Sequence, residues 1–556
     1  MKRARKNGAR RVLLAVLATV ATLAAGMAVG GSVARAATGK WVAGDINTHT
    51  LLGDGSNAQV EVTRNAFALY GLNYLANSDP GGKSNTDPSG APFVTPIWRW
   101  ITLPLYSYPL TQDARETYAG HRVIQGLDWN APGHEDASVG IIGGANEPNG
   151  ISDFEYLFDK ADTDTSRAGE GLLPDSNGNP AVPFDKHNTT AADTLAGVQW
   201  LEDNYFQQSY VIVNNPSQEL LWSAADLRAM NDAAPDVAFG MEGMPGHQAA
   251  AARGGYGYYI AADGTVTTDP SQADATLTAK ARTYGGADYM TAKVGGVWDS
   301  LLGEGRHFWI FDDSDYHWAS KQYKDASGNV IGTAYQDFWP GQYAKTWTFE
   351  KKNTDAGLLD GMRSGNVFVA SGDLINKLDF EAAAGKAPVT MGQTLKAKKG
   401  QKITVTIGFA SPKVNDSGAK PQVDHVDLIA GNVTGLISPT LADGTTPNPA
   451  YDSDTNTSAH VVKTFTKKDW KMVNGLNVAT VTLKVSQNMY LRLRGTNLAP
   501  GTANETDAQG NPLADELSYV DVPKPSDPTQ TVHISTPDVA FGDLWFYSNP
   551  IFVNVK

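Results

Sequence analysis

Short apolar runs that stop at a carboxylate, an amide or a histidine recur along the first two thirds of the chain. Gly44-Asp45-Ile46-Asn47-Thr48-His49-Thr50 leads into the turn Leu51-Leu52-Gly53-Asp54-Gly55. Tyr74-Leu75-Ala76 stops at Asn77-Ser78-Asp79. Val123-Ile124-Gln125-Gly126-Leu127 stops at Asp128, with His134 six residues on. Residues 210–213 stop at Asn214-Asn215, and residues 308–311 run into Asp312-Asp313-Ser314-Asp315-Tyr316-His317. Amphipathic stretches lie between these runs. Val62, Ala66, Phe67 and Tyr70 fall at helical spacing with Gly71 as a stop, residues 194–205 and 224–234 read as helices, and residues 357–363 make a short helix closed by Ser364-Gly365. Strand, polar tip and helix in repetition predict an α/β fold, a distorted β/α (TIM-like) barrel over residues 40–375. Such a barrel gathers polar side chains at the C-terminal mouth of its strands.

From about Leu378 the period changes to two. Residues 402–407, 478–485 and 489–494 alternate, with Ser486-Gln487-Asn488 read as a hairpin turn between the last two. Residues 423–429 and 545–555 add further strands. The expectation is an all-β sandwich over 376–556, acting as an accessory domain, with 432–458 as a surface loop. Three long loops interrupt the first region: 162–188, 254–275 with a hairpin at Asp263-Gly264, and 324–332 with a turn at Ser327-Gly328-Asn329. Loops of this length inside a domain are usually functional or disordered.

The start of the chain changes the picture of where the protein works. Lys2, Arg3, Arg5, Lys6, Arg10 and Arg11 precede an apolar run of small residues, and Ala34-Arg35-Ala36 fits a small-x-small cleavage site. Residues 1–36 are therefore expected to be a signal peptide, with export by the general route or, given Arg10-Arg11, by the twin-arginine one. The mature protein is expected to be secreted or held in the cell envelope, with no membrane association once the signal is gone. Losing the seven basic residues of this segment takes the net charge from −14 to −21. So acidic a surface repels nucleic acid and anionic lipid. An anionic substrate held by a bound metal is not excluded. Cysteine is absent, which excludes disulfides, thiolate metal sites and a cysteine nucleophile. Ser56 and Ser314 lack a nucleophile elbow, and no glycine-rich phosphate loop is present.

The polar tips, taken in order, resemble the PHP superfamily, the polymerase-and-histidinol-phosphatase type of metal-dependent phosphoesterase, and in particular its large secreted bacterial members. The resemblance covers the first 335 or so residues. The family's opening Gly-Asp-x-His-x-His-Thr is answered by Gly44 to Thr50 and then Asp54-Gly55. Its strand ending in an acidic residue and His is answered by Ser78-Asp79-Pro80, and its strand-end Glu followed by His by Asp128 and His134. Its Asn-His-Pro turn is answered by Asn214-Asn215-Pro216, and its closing Ser-Asp-x-His by Ser314-Asp315-Tyr316-His317. Residues 298–306 and 362–368 also resemble this group.

The resemblance implies a PHP-type barrel and a divalent metal, Zn, Mn or Fe, in one to three ions. The metal ligands it implies are His49, Asp54, Asp128, His134, Asp315 and His317. Four positions depart from the family pattern. Asn47, Pro80 and Asn215 stand where the family has His, and Asp128 stands one methylene short of Glu. An amide is a weak ligand for zinc and proline offers no donor. Of ten His in the chain, three fall on motif positions, which favours a site over coincidence. His134 is a candidate for proton transfer, Arg306 and Lys293 are candidates for holding phosphate, and His247 is a candidate for lining the pocket.

The leading expectation is an exported hydrolase that splits a small phosphorylated substrate with metal-activated water. The alternative is a secreted binding or cell-surface protein that keeps the barrel without the chemistry, supported by the substitutions at Asn47, Pro80 and Asn215. A nuclease fits the acidic surface poorly. Substrate identity and oligomeric state are not legible.

Overall fold

The computed structural model describes residues 39–144, 146–167, 185–325, 327–385, 387–517, 520–524, 527–534 and 538–556. The expected signal peptide and most of the loop expected over 162–188 lie outside the described residues. The described residues, from Gly39 onward, form one compact unit.

Residues 40–350 supply eight strands of one large sheet: β1 (Lys40–Asp45), β2 (Tyr74–Asn77), β3 (Arg122–Trp129), β4 (Ala137–Ile141), β5 (Ser209–Val213), β6 (Ala238–Met244), β7 (Trp309–Asp312) and β8 (Ala344–Glu350). They lie in the order β7-β6-β5-β4-β3-β2-β1-β8. β2 through β7 are buried along their whole lengths rather than at alternate residues, the mark of strands covered on both faces. Trp129, Phe154, Trp298, Trp309 and Leu358 are among the side chains filling this core.

The sheet departs from uniform β/α repetition at one strand. β4 runs antiparallel to both β3 and β5. Only residues 130–136 separate it from β3, too short a link for the crossover that a parallel neighbour requires. β1, β2 and β3 are parallel to one another, as are β5, β6 and β7. β7 shares no ladder with β8. Instead Thr48, just past β1, bridges Tyr316, just past β7, and the Asp312 amide donates to Thr346 Oγ1 at 2.7 Å.

The helical spacings are realised. Gln59–Arg64 continues as a π turn over Asn65–Leu69 and ends before Gly71, whose φ of +69° suits glycine. Ala191–Tyr205 and Ala224–Ala233 each begin with a reciprocal cap, Thr190 with Asp193 and Ser223 with Asp226. Asp355–Arg363 starts on Thr354, whose side chain accepts from the Gly357 amide.

The large sheet runs on into the strands after β8. Beside β8 lies β9 (Val367–Ser371), and beyond it come strands from late in the chain. A second, five-stranded sheet contains β10 (Lys377–Ala383) and β11 (Lys402–Ala410). The late strands are β12 (His425–Asn432), β13 (His460–Thr466), β14 (Leu476–Lys484), β15 (Met489–Thr496), β16 (Trp545–Ser548) and β17 (Ile551–Val555). The main path continues β9-β16-β15-β12-β13. Inward residues of both sheets, including Phe380, Ile403 and Val405 from one and Leu428, Leu491 and Phe546 from the other, share one core.

The expected hairpin at Ser486-Gln487-Asn488 is not one. β14 pairs with β11 and Lys471–Val473, whereas β15 pairs with β12, β16 and β17. The three residues carry the chain from one sheet to the other, a crossing that alternation on either side cannot reveal. The turns at Asp263-Gly264 and Ser327-Gly328-Asn329 do join antiparallel pairs. The 432–458 loop is strapped down: Tyr451 O accepts from Arg228 Nη1 at 2.8 Å, and Asn456 Nδ2 donates to Asp299 O at 3.1 Å. Among the described residues no helix is long and apolar enough to cross a membrane.

Candidate metal centre

Three strand tips meet where β1, β2 and β7 end. The His49 amide donates to Tyr316 O and the Ser78 amide to Thr48 O, both at 2.9 Å, so the tip of β1 is held between the other two. The turn after His49 folds back tightly. The Gly53 and Gly55 amides both donate to Thr50 O at 3.0 Å, and a Cβ on Gly55 would lie 2.6 Å from the His49 carbonyl carbon. This close approach brings Asp54 beside the His49 ring.

Asp315 is the hub. Its Oδ1 lies 3.0 Å from His49 Nε2 and accepts from Asn47 Nδ2 at 3.3 Å, while its Oδ2 lies 2.8 Å from His247 Nε2. Asp315 has φ of +44° and His247 +53°, and a Cβ on Gly246 would come within 2.2 Å of the Asp315 Cβ. The two tips therefore pack backbone against side chain, and both polar residues sit in the left-handed region that few non-glycine residues adopt. His317 stacks on His49 with ring centroids 3.8 Å apart. Asp54 spans both rings, with Oδ1 2.7 Å from His49 Nδ1 and Oδ2 3.3 Å from His317 Nε2. Asp128, near the end of β3, places Oδ2 3.7 Å from His49 Nε2 and takes Asn214 Nδ2 on Oδ1 at 2.8 Å.

The charges follow from these contacts. Burial opposes protonation of His49, yet Asp54 and Asp315 more than offset it and hold its pKa well above the ordinary 6.5. His247 is raised in the same way, burial being outweighed by Asp315 and Asp337. Burial works against ionisation of Asp315 also, but His247 and His317 hold it well below the usual carboxylate value. Asp128 goes the other way, pushed well up by burial and by the nearby Asp136. Deeper in the sheet, burial raises Asp45 to about 7 and Glu242 to about 8, and it also pushes up Asp313, whose neighbour is Glu242.

A divalent cation fits these donors. His49 Nε2 is fully buried and makes no hydrogen bond, although two carboxylate oxygens lie within 4 Å of it. A buried ring nitrogen of this kind is costly unless something satisfies it, and imidazole with carboxylates suits Zn²⁺, Mn²⁺ or Fe²⁺. Two overlapping groups have donor atoms within 4.8 Å of one another: His49, Asp54 and His317, and His247, His317 and Asp337.

The other expected residues are engaged as follows. His134 lies flat on Trp222 at 4.2 Å, with Nδ1 3.0 Å from Leu221 O. Arg306 is buried against Asp232 and Glu304, away from the hub. Lys293 is exposed beside Tyr289, at a cleft lined also by Asp507 and Asn511. Pro80 bridges Asp128 through the backbone, and Asn215 uses its amide N–H on Glu242 at 2.8 Å. Asp79, at the tip of β2, is occupied by Arg99 Nη2 at 2.9 Å, Thr50 N at 2.5 Å and Thr50 Oγ1 at 2.7 Å. The sequence reading missed Asp337 and Asp136. Asp337 follows the hairpin of Ser320–Lys324 and Val330–Tyr335, and no motif marks it.

No family model matches the chain, and no curated protein does. One solved structure similar to it is described as a two-domain protein containing a predicted PHP-like metal-dependent phosphoesterase, from Bacteroides vulgatus. The likeness has 10% identity and a TM-score of 0.29, and covers 89% of this chain and 96% of that one.

Proposed function

We propose that this protein is an exported metal-dependent phosphoesterase acting on a small phosphorylated substrate. The observation that carries the reading is the convergence of His49, Asp128, Asp315 and His317 on one mouth, in the order and at the tips that the motif resemblance implies, with His247 beside them. His49, Asp128, Asp315 and His317 would hold the ion, with Asp54 and His247 at its edges. A bound divalent cation polarises a phosphoryl oxygen and lowers the pKa of its water. The chain's own contribution is to fix the ligands in place. Asp54 holds His49 and His317 together, Asn214 orients Asp128, and Asn47 orients Asp315. His247, gripped between two carboxylates, is the imidazole best placed to hold a proton.

A non-catalytic binding protein is the second reading, and a specific feature favours it. The tip of β2 offers Asp79 to a buried guanidinium rather than to a cation, and Pro80 has no donor. Fewer ions than the family's three therefore fit here. The test is metal per chain by mass spectrometry on protein prepared without chelator, together with turnover of p-nitrophenyl phosphate and its diester. Stoichiometric metal with turnover supports the esterase. Metal without turnover on any phosphoester, or no metal, supports the binding protein.

A further inference from the structure

Asp337 reaches the mouth from outside the strand tips and touches two of the histidines at once. Its carboxylate is buried, 2% exposed. Oδ1 lies 2.6 Å from His247 Nδ1, while Oδ2 accepts the backbone N–H groups of His317 at 2.5 Å and Trp318 at 2.9 Å. The Asp337 amide in turn donates to Trp318 O at 3.2 Å. An ionised carboxylate only accepts, so the contact places the proton on His247 Nδ1. Nε2 faces Asp315 Oδ2 at 2.8 Å, a longer contact than the 2.6 Å one at Nδ1, so when the ring keeps a single proton Asp337 holds it at Nδ1 and Nε2 is the nitrogen left open to a cation. Gln336 Nε2 also approaches Nδ1, at 3.4 Å, too long to compete with the carboxylate.

We infer that Asp337 is a positioning residue. It sets the His247 tautomer, aims Nε2 into the metal mouth, and fixes the His247–His317 ring separation of 5.2 Å by binding the second residue's backbone. The inference rests on the metal reading above for its consequence, but not for the tautomer itself. The reason such a contact matters is general: a ligating imidazole depends on the group that holds its other nitrogen, and losing that group typically costs about 10- to 100-fold in metal affinity. The strained backbone of His247, with φ of +53°, adds to the need for an external hold.

The experiment compares the parent, Asp337→Asn, Asp337→Glu, His247→Gln and the double variant Asp337→Asn/His247→Gln as full chains. Long-range ¹H–¹⁵N spectra of the metal-free proteins, at alkaline pH where the rings are neutral, read the His247 tautomer. Zn²⁺ and Mn²⁺ titrations read affinity, and circular dichroism checks folding. The expected results are an Nδ1–H tautomer at His247 in the parent and a mixed or reversed one in Asp337→Asn. Metal affinity should fall about 10- to 100-fold in Asp337→Asn, with partial recovery in Asp337→Glu. Asp337→Asn should cost much less affinity once His247 is already Gln, because its effect runs through that ring.

An Nε2–H tautomer in the parent, or an unchanged tautomer in folded Asp337 variants, overturns the inference. So does an equal loss of affinity with and without His247. A parent that takes no metal defeats the metal reading instead, and the spectra alone then decide the role of Asp337. If Asp337→Asn fails to fold, the Asp337→Glu and parent spectra decide it.

Discussion

His49 and His317 stack face to face with centroids 3.8 Å apart and planes inclined by 21°, and the carboxylate of Asp54 spans them both. Two imidazoles this close, from the tips of β1 and β7, lie within the reach of one ion or of two adjacent ions with bonds of about 2.1 Å.

Replacing the hub tests this directly. Asp315 serves His49, His247 and Asn47 together. Asp315→Asn puts a neutral amide where a charged ligand stood, and the expected outcome is loss of most of the bound metal, read as metal per chain. Retention of the parent's metal content would exclude Asp315 as a ligand.

Restoring an imidazole should act in the opposite sense. Asn47 already points its side-chain nitrogen at Asp315 Oδ1, so Asn47→His adds a donor at the same mouth. Metal stoichiometry and phosphomonoester turnover are both expected to rise. A folded Asn47→His protein with unchanged metal content would show that the amide is no handicap.

Stability of the metal-free chain is expected to fall as pH rises. Burial lifts Asp45 and Asp153 from 3.8 to about 7, and Glu242 from 4.5 to about 8. The folded chain therefore binds more protons than the unfolded one across this window, and that favours folding at the acid end. His49 and His247 are raised as well. Their contribution is complete below 6.5 and is lost as pH rises through their folded values. Asp54 and Asp315 are lowered, so what they contribute is lost only on falling below 3.8. In chelator, the melting temperature should be higher at about pH 5.5 than at about pH 8.5, measured by thermal unfolding. A rise across this range would contradict the burial of these carboxyls.

A buried ion pair ties the late strand β15 back to the helix before β7. Arg492 of β15 grips Asp299 of the helix Val297–Gly303 through Nε at 2.7 Å and Nη2 at 2.8 Å, and lies over the Trp298 ring at 4.8 Å. Asp299→Ala leaves the guanidinium buried and uncompensated, which costs about 3–5 kcal/mol. Denaturant unfolding should show it, and the loss should shrink when Arg492 is replaced by Met in the same chain.

β1, β2, β3, β5 and β7 and their polar tips were legible because burial on both faces writes long apolar runs, and each run stops at a polar tip, whereas β4, β6 and β8 carried no such tip motif. Asn47, His49, Asp315 and His317 are near in space for the reason that β1 and β7 bring their tips together. β4 was not legible as antiparallel, since a fully buried strand reads the same in either direction. The crossing at Ser486–Asn488 was hidden likewise: alternation names a face, not a partner. Asp337 had no signal, because a carboxylate after a hairpin is ordinary until the fold carries it to His247. Arg306 read as a phosphate holder from its place in a motif, but its hydrogen bonds to Asp232 and Glu304 are of the kind that secure a loop to a helix.

β9 pairs with β16, and the side chain of Asn549, just after β16, accepts the Ile310 amide of β7 at 2.9 Å. The strand that leads to Asp315 and His317 is thus finished by residues that leave the ribosome more than two hundred positions later. Contacts so far apart along the chain make for slow folding, since the entropy of closing the loop is lost before the contact rewards it. A ribosome-bound chain ending at residue 375 carries the proposed ligands but not the Asn549 contact to β7. On the proposed metal reading, capture of an ion would be a late event in the life of the molecule, one that reports completion of the whole fold rather than guiding it.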